Sequence, residues 1–305
     1  MLFAAFVALI SFPCTSVGQE ADSAKLKFWN DARHYERDRG HLVGFAAGSL
    51  YMGGMSALYA TWYREYPMGK FHFFNDEEEW LQMDKMGHCG SAYYLGRWSS
   101  GLLKWTGMPD TKAYWLGTGM SYAFLMTIEV FDGFARTWGF SATDIVANTA
   151  GAGLFLTQAL AWDQQAISFK FSFRKSPLAE VRPEVFGSGY AENALKDYNG
   201  QTYWLSSNIS MLSGNERIPS WLNLAVGYGA NNMLSAVERD LPAGLKDPGH
   251  RYRQFYLSPD IDWSRIKTRR AGVKLLLKVI GFIKVPAPAI EYRSNGKWIF
   301  HGLHF

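Results

Sequence analysis

Cysteine is scarce: the 305-residue chain has two, Cys14 and Cys89. Cys14 lies in an apolar leader, so removal of that leader leaves Cys89 alone and excludes an intramolecular disulfide framework. The common catalytic signatures are missing as well. There is no Gly-x-Ser-x-Gly elbow, phosphate-binding loop, dinucleotide fingerprint or His-Glu-x-x-His pair. "GTGMSYAF" lacks the full glycine pattern and sits inside an apolar helical stretch. Mean hydropathy is −0.14, which excludes a uniformly greasy transporter.

Aromatic residues are abundant instead, with 12 Trp, 16 Tyr and 21 Phe. Rings with a polar edge suit a membrane interface. Charge is uneven along the chain. Residues 1–165 hold 12 basic against 16 acidic residues, a balance of −4, and the remainder holds 19 against 11, or +8. The leader "MLFAAFVALISFPCTSVG" has an apolar stretch, Leu2 to Phe12, followed by small residues, as an export signal does, but no Lys or Arg precedes it. "SFPC" puts Phe and Pro where a lipobox wants small residues. A basic second half on an exported chain points to membrane lipid or lipopolysaccharide as partner, and not to nucleic acid. No protein partner and no particular cofactor is indicated.

Four stretches read as helices: "HLVGFAAGSLYMGGMSALYATWY", "MGHCGSAYYLGRWSSGLLKW", "KAYWLGTGMSYAFLMTIEVF" and "ATDIVANTAGAGLFLTQALAW". The first is long enough to cross a bilayer. All are apolar and rich in small residues that permit close helix contact. Asp76 and Glu79 have capping-box spacing, which predicts that "DEEE" opens the second helix. Ser141 is the expected N-cap of the fourth, with Asp144 three residues on.

After Trp162 the period changes to two. "ISFKFSF", "QTYWLSSNISM", "WLNLAVGYGA" and "RQFYLSPDIDW" alternate as strands, and "AIEYRSNGKWIFHGLHF" reads as a hairpin turning at Asn295-Gly296 in type I′. Apolar faces backed by small polar residues, and aromatic residues alternating back from Phe305, resemble outer-membrane strands. Five or six strands are too few for an independent closed barrel, which starts at eight. "IKTRRAGVKLLLKVIGFIKVPAP" contains a basic amphipathic helix, suited to a membrane surface or to packing on the sheet. His72, His250, His301 and His304 fall in loops or strands without matching partners. The expected fold is therefore α+β. A signal at 1–18 and an N-terminal bundle of about four apolar helices at 19–165 precede an integrated antiparallel, barrel-like sheet at 166–305.

The helices carry polar residues at matched spacing. Asp84 and His88 are i, i+4 with Lys85 between them; Glu129 and Asp132 are i, i+3, with Arg136 beyond; Asp144 and Asn148 are i, i+4, with Gln158 beyond. On helices each set projects to one side. If those sides face one another, the bundle encloses a cluster that must pair internally or bind something, because burying such groups unpaired costs several kcal/mol each. Carboxylate and imidazole ligands suit Zn, Mn or Fe, although the second set lacks the His of the paired Glu-x-x-His pattern.

"WYREYP", "FHFFNDEEEWLQMDKMGH", "IEVFDGFARTWGFSATDIVANTAGAGLF" and "KDYNGQTYWLS" resemble the family called domain of unknown function 2279, which includes YfiM-like periplasmic lipoproteins, over residues of about 40 to 300. That resemblance implies an exported, membrane-associated protein with no established reaction. A shorter, order-preserving similarity links Asp84-Lys85 and His88, then Glu129, then Ser141, Asp144, Asn148 and Gly151 to VanZ-like membrane proteins. Two functions are therefore expected. One is a binding or architectural envelope protein whose Asp/His/Glu/Asn cluster stabilises the helices. The other is an enzyme acting on a lipid-linked or cell-wall substrate. There His88 is acid or base, Asp84 orients it, and Glu129, Asp132 and Asp144 bind metal or activate water.

Overall fold

The computed structural model describes residues 28–305 apart from Trp29, Glu65, Tyr66, Pro242 and Asp247. The expected export signal and Cys14 lie outside the described residues. The chain is α+β: long helices fill its first half and a six-stranded antiparallel sheet its second. It divides into two compact units. One comprises residues up to Asn75, Ser91–Asp163 and Arg270–Gly272; the other comprises Asp76–Gly90, Gln164–Arg269 and Val273–Phe305.

In the first unit, α1 spans Arg37–Leu58. A two-residue strand β1 (Phe73–Phe74) precedes α2 (Met83–Trp105), whose first eight residues belong to the second unit. Then come α3 (Asp110–Asp132), β2 (Phe140–Ser141) and α4 (Ala142–Trp162). Small residues set the helix contacts. A Cβ on Gly117 of α3 would lie 2.4 Å from the Ser100 backbone nitrogen of α2, so only glycine permits this approach. Beside it the Ser121 hydroxyl donates to the Ala92 carbonyl at 3.0 Å, and Leu125, Ala92 and Ala152 form the local core. Parallel pairing of β1 with β2 places Ser141 at the head of α4, where its Oγ accepts from the Asp144 N–H at 3.1 Å as the sequence predicts. Among the described residues one helix, α4, is long and apolar enough to cross a bilayer, and 39% of its most apolar window is buried. On α1, Phe45 and Met52 are 76% and 65% exposed.

The predicted start of α2 is not observed. Trp80, Leu81 and Gln82 all have positive φ, at 47°, 48° and 62°. They form a left-handed turn, so "DEEE" lies outside α2. Side chains from the sheet hold that turn, as described below.

The second unit is built on β3 (Ile167–Phe173), β4 (Gln201–Asn208), β5 (Leu222–Asn231), β6 (Tyr252–Ile261), β7 (Ala287–Arg293) and β8 (Trp298–His304), hydrogen-bonded in sequence order. Short helices α5 (Pro183–Phe186), α6 (Tyr190–Lys196) and α7 (Ile209–Ser213) fill connections, and α8 (Ala271–Val279), whose first two residues belong to the first unit, precedes β7. β4 ends earlier than its alternation predicts, because the Asn208 side chain accepts from the Met211 N–H at 3.0 Å and turns the chain into α7. The β7–β8 connection is not the predicted type I′ turn. Its four residues, 294–297, include one with positive φ, Gly296 at 86°, and Arg293 N–H bonds the Lys297 carbonyl at 2.9 Å.

The sheet curls without closing. Trp204 on β4 and His304 on β8 have ring centroids 5.8 Å apart although three strands separate them. In a flat sheet four strand spacings would be about 19 Å. Ahead of β7, the Lys284 N–H donates to the Phe171 carbonyl of β3 at 2.9 Å. β3 and β8 do not pair with each other.

Polarity across this sheet is inverted. Its buried side carries Lys170, Ser206, Asn208, Asn223, Gln254, Ser258, Asp260 and Glu291. These groups satisfy one another: Lys170 Nζ meets Asp260 Oδ2 at 2.7 Å, and the Asn223 amide donates to Ser206 Oγ at 2.9 Å. Its outward side is apolar. The paired row Leu205–Val226–Leu257–Ile290–Phe300 crosses five strands, with exposures of 41%, 57%, 44%, 45% and 72%.

Candidate functional site

The polar sets predicted from the helices divide between the units: Asp84, Lys85 and His88 in the second, and Glu129, Asp132, Asp144 and Asn148 in the first.

In the second unit, the first turns of α2 present Asp84, Lys85 and His88 together. Lys85 Nζ lies 2.5 Å from Asp76 Oδ2 and 3.2 Å from Asp84 Oδ2. The Tyr198 hydroxyl donates to Asp84 Oδ1 at 2.9 Å. His88 Nε2 is 3.9 Å from the same oxygen, beyond hydrogen-bond reach but close enough for attraction. Burial alone would raise the Asp84 carboxyl. The charges of His88 and Lys85, with hydrogen bonds from Tyr198 and Lys85, outweigh burial and hold it below the ordinary carboxylate range. Asp76 is therefore a charge partner for Lys85.

Glycines bring this turn of α2 onto the sheet. A Cβ at Gly87 would lie 3.1 Å from the Tyr203 hydroxyl, and one at Gly90 would lie 2.6 Å from Phe169 Cε1. The preceding left-handed turn is clamped. Arg253 Nη1 donates to the Leu81 carbonyl at 3.1 Å and also meets Gln82 Oε1 and the Tyr228 hydroxyl. Trp80 N–H donates to the Ala236 carbonyl at 2.8 Å. Non-glycine residues in this region cost of order 1–3 kcal/mol each and persist only where neighbours over-determine them.

In the first unit, Glu129 is fully buried, and Asp144 and Asn148 are nearly so. Asp132 ends α3 and accepts from the Tyr63 hydroxyl and from Trp138 Nε1, both at 2.6 Å. Burial, then the Asp132 and Glu129 charges, raise the Tyr63 phenol, so it stays a protonated donor. Gln158 bonds the Leu154 carbonyl on its own helix at 2.8 Å. Arg136 lies beyond the end of α3, exposed, with its stem against Gly69; it does not continue the Glu129–Asp132 face.

The residues missed from sequence are Tyr63, Trp138, Tyr198, Tyr228 and Arg253. None lies at helical spacing from the acid or turn it contacts, so periodicity gives no signal for them. His301 and His304 are also corrected. β8 has one extra residue where Ala287 pairs with His304 but Ala289 pairs with His301. His301 faces the buried side by alternation with Ile299, and the bulge brings His304 to that same side. His301 Nε2 lies 2.6 Å from Glu291 Oε2, and the His304 ring stacks on Tyr256 at 4.4 Å.

Residues 72–159 match the family described as "Predicted periplasmic lipoprotein (DUF2279)". The match supports an exported protein of the cell envelope and covers less of the chain than the motif resemblance. No curated protein and no solved structure matches the chain.

Proposed function

We propose that this protein is a binding or architectural component seated in a membrane of the cell envelope, with the outward side of its sheet against lipid. One observation carries this reading: the register-matched row Leu205–Val226–Leu257–Ile290–Phe300 is exposed while Lys170, Asp260 and Glu291 are buried behind it. A sheet in water keeps its apolar side in and its polar side out. The opposite arrangement suits hydrocarbon, where outward apolar residues alternate with polar residues inside. Next along the strands, Tyr228, Phe255, Tyr292 and Trp298 form a paired row, with successive ring centroids 5.7, 6.4 and 4.9 Å apart. Aromatic rows of this kind border the apolar band of outer-membrane sheets, which favours the outer membrane.

The test is Val226→Lys. At the centre of an apolar band a lysine costs about 2–4 kcal/mol, whereas an exposed lysine in water is nearly neutral. Wild-type protein stays in carbonate-washed membranes and the variant is depleted from them. Full release of the wild type overturns the reading.

A second reading, suggested by the VanZ-like motif, is chemistry on a lipid-linked or cell-wall substrate. The observation favouring it is Asp84, held anionic beside His88 by Lys85 and Tyr198. An imidazole next to a fixed carboxylate suits acid–base work. Lys85 between two carboxylates disfavours a cation there. Bound metal, measured in wild type, His88→Ala and Glu129→Ala, separates the options. Metal lost from folded variants supports a site; unfolding of both supports a structural network.

A further inference from the structure

The apolar band has two borders, and the second carries chemistry of its own. From Phe255 in the aromatic row to Ile261 at the end of β6 there are six residues, a rise of about 20 Å. Beyond Ile261 lies the segment containing α8. The aromatic row and the segment that follows Ile261 therefore lie towards opposite ends of β6, at a separation that matches an apolar band of about 25 Å.

The composition of that segment is one-sided. Between Asp262 and Glu291 the chain has seven Lys or Arg and no acidic residue. Lys267, Arg269 and Lys274 are exposed. So are Ile266, Val273 and Leu276, at 36%, 38% and 51%. Val279 is buried, which anchors the helix by its far end. The segment is tied at its base: Trp263 Nε1 donates to the Ile283 carbonyl and Arg265 Nε to Asp262 Oδ2, at 2.9 and 3.0 Å. Exposed aliphatic groups beside exposed cations have no benefit in bulk water. At a bilayer surface the aliphatic groups enter the acyl boundary while the long basic stems reach the headgroups.

We propose that residues 266–269 and 273–278 bind phospholipid headgroups of net negative charge at the border opposite the aromatic row. This rests on the lipid-facing reading of the sheet and adds the chemistry of the lipid: an anionic phosphate ester. Lys267, Arg269 and Lys274, which form no ion pair among the described residues, complement such a surface, each strengthening binding roughly fivefold. A zwitterionic headgroup offers no net charge to match.

The test uses the full-length protein and preformed vesicles of phosphatidylglycerol or phosphatidylcholine, with co-flotation at low salt. Wild type partitions more strongly into phosphatidylglycerol. The triple variant Lys267→Gln, Arg269→Gln, Lys274→Gln loses on the order of a hundredfold in that partition and keeps its phosphatidylcholine partition. Lys267→Arg with Lys274→Arg retains wild-type behaviour. Circular dichroism checks that each variant is folded. Equal wild-type partition into both vesicles, or an unchanged triple variant, overturns the headgroup proposal and leaves the sheet reading standing. Wild type that floats with neither vesicle overturns both.

Discussion

Tyr198 reaches across 114 positions in the sequence to donate its hydroxyl to Asp84 at 2.9 Å. The bond ties the short stretch before β4 to the first turn of α2. A hydrogen bond to a charged group contributes about 1.5–3 kcal/mol. Tyr198→Phe is expected to lower stability by that order in denaturant titrations at pH 7.

The same bond has a pH signature. The folded-state pKa of Asp84 is depressed, so its stabilising contribution is present above the unfolded value, about 3.9. It is lost as pH falls through the lower folded value. Without Tyr198 the folded value lies closer to the unfolded one, so less stability is lost and the loss ends at higher pH. Urea midpoints measured from pH 6 to pH 3 should fall less in Tyr198→Phe, so the gap between the proteins should narrow at the acid end. Parallel curves with a constant gap would refute this account of Asp84.

Two glycines on α2 predict opposite results. Alanine at Gly90 meets Phe169 at 2.6 Å, whereas alanine at Gly101 meets nothing within 4 Å. Gly90→Ala should destabilise by about 1–3 kcal/mol through overpacking. Gly101→Ala should stabilise by up to about 1 kcal/mol through helix propensity. Thermal melts of the pair check both signs.

Burial pushes the Cys89 thiol up to about 11. Thiolate is therefore rare at neutral pH. Peptide mass spectrometry after iodoacetamide treatment at pH 7.5 should find Cys89 largely unmodified in folded protein and modified in denaturant. Rapid labelling of the native state would contradict this half-buried, protonated thiol.

Arg253 is expected to matter out of proportion to its place on β6. Arg253→Gln removes the clamp on Leu81 and Gln82. The left-handed turn should then open, raising amide exchange at residues 80–82 and costing about 1–3 kcal/mol. Unchanged exchange there would show that other contacts suffice.

The parts legible in sequence are those set by local pattern. Ser141 caps α4 because capping is a four-residue geometry, and "ISFKFSF" reads directly as β3. Alternation also marks the apolar rows of the sheet, though not which side faces outward. Contacts between distant segments defeat local reading. Nothing near Leu81 announces a left-handed turn, because Arg253 and Tyr228 hold it from the sheet. An unflagged bulge moves His304 to the opposite side from where strict alternation puts it. The acids and amide of the helices were identifiable as polar residues in apolar stretches. Their phenol and indole partners, Tyr63, Trp138 and Tyr198, were not, since aromatic residues are common throughout this chain.

The failure of β3 and β8 to pair has a consequence for how the molecule can be oriented. Among the described residues no strand pairs with the outer edge of β8, which carries backbone amides and carbonyls along Trp298–His304. In hydrocarbon each unsatisfied group costs several kcal/mol, while in water such an edge is a template for another strand. Burying the apolar rows in lipid therefore has to keep one margin of the sheet within reach of polar atoms. That requirement limits rotation about the strand axis: of all the ways to turn the greasy side toward a bilayer, only those that leave β8 beside water, headgroups or an additional strand are tolerable.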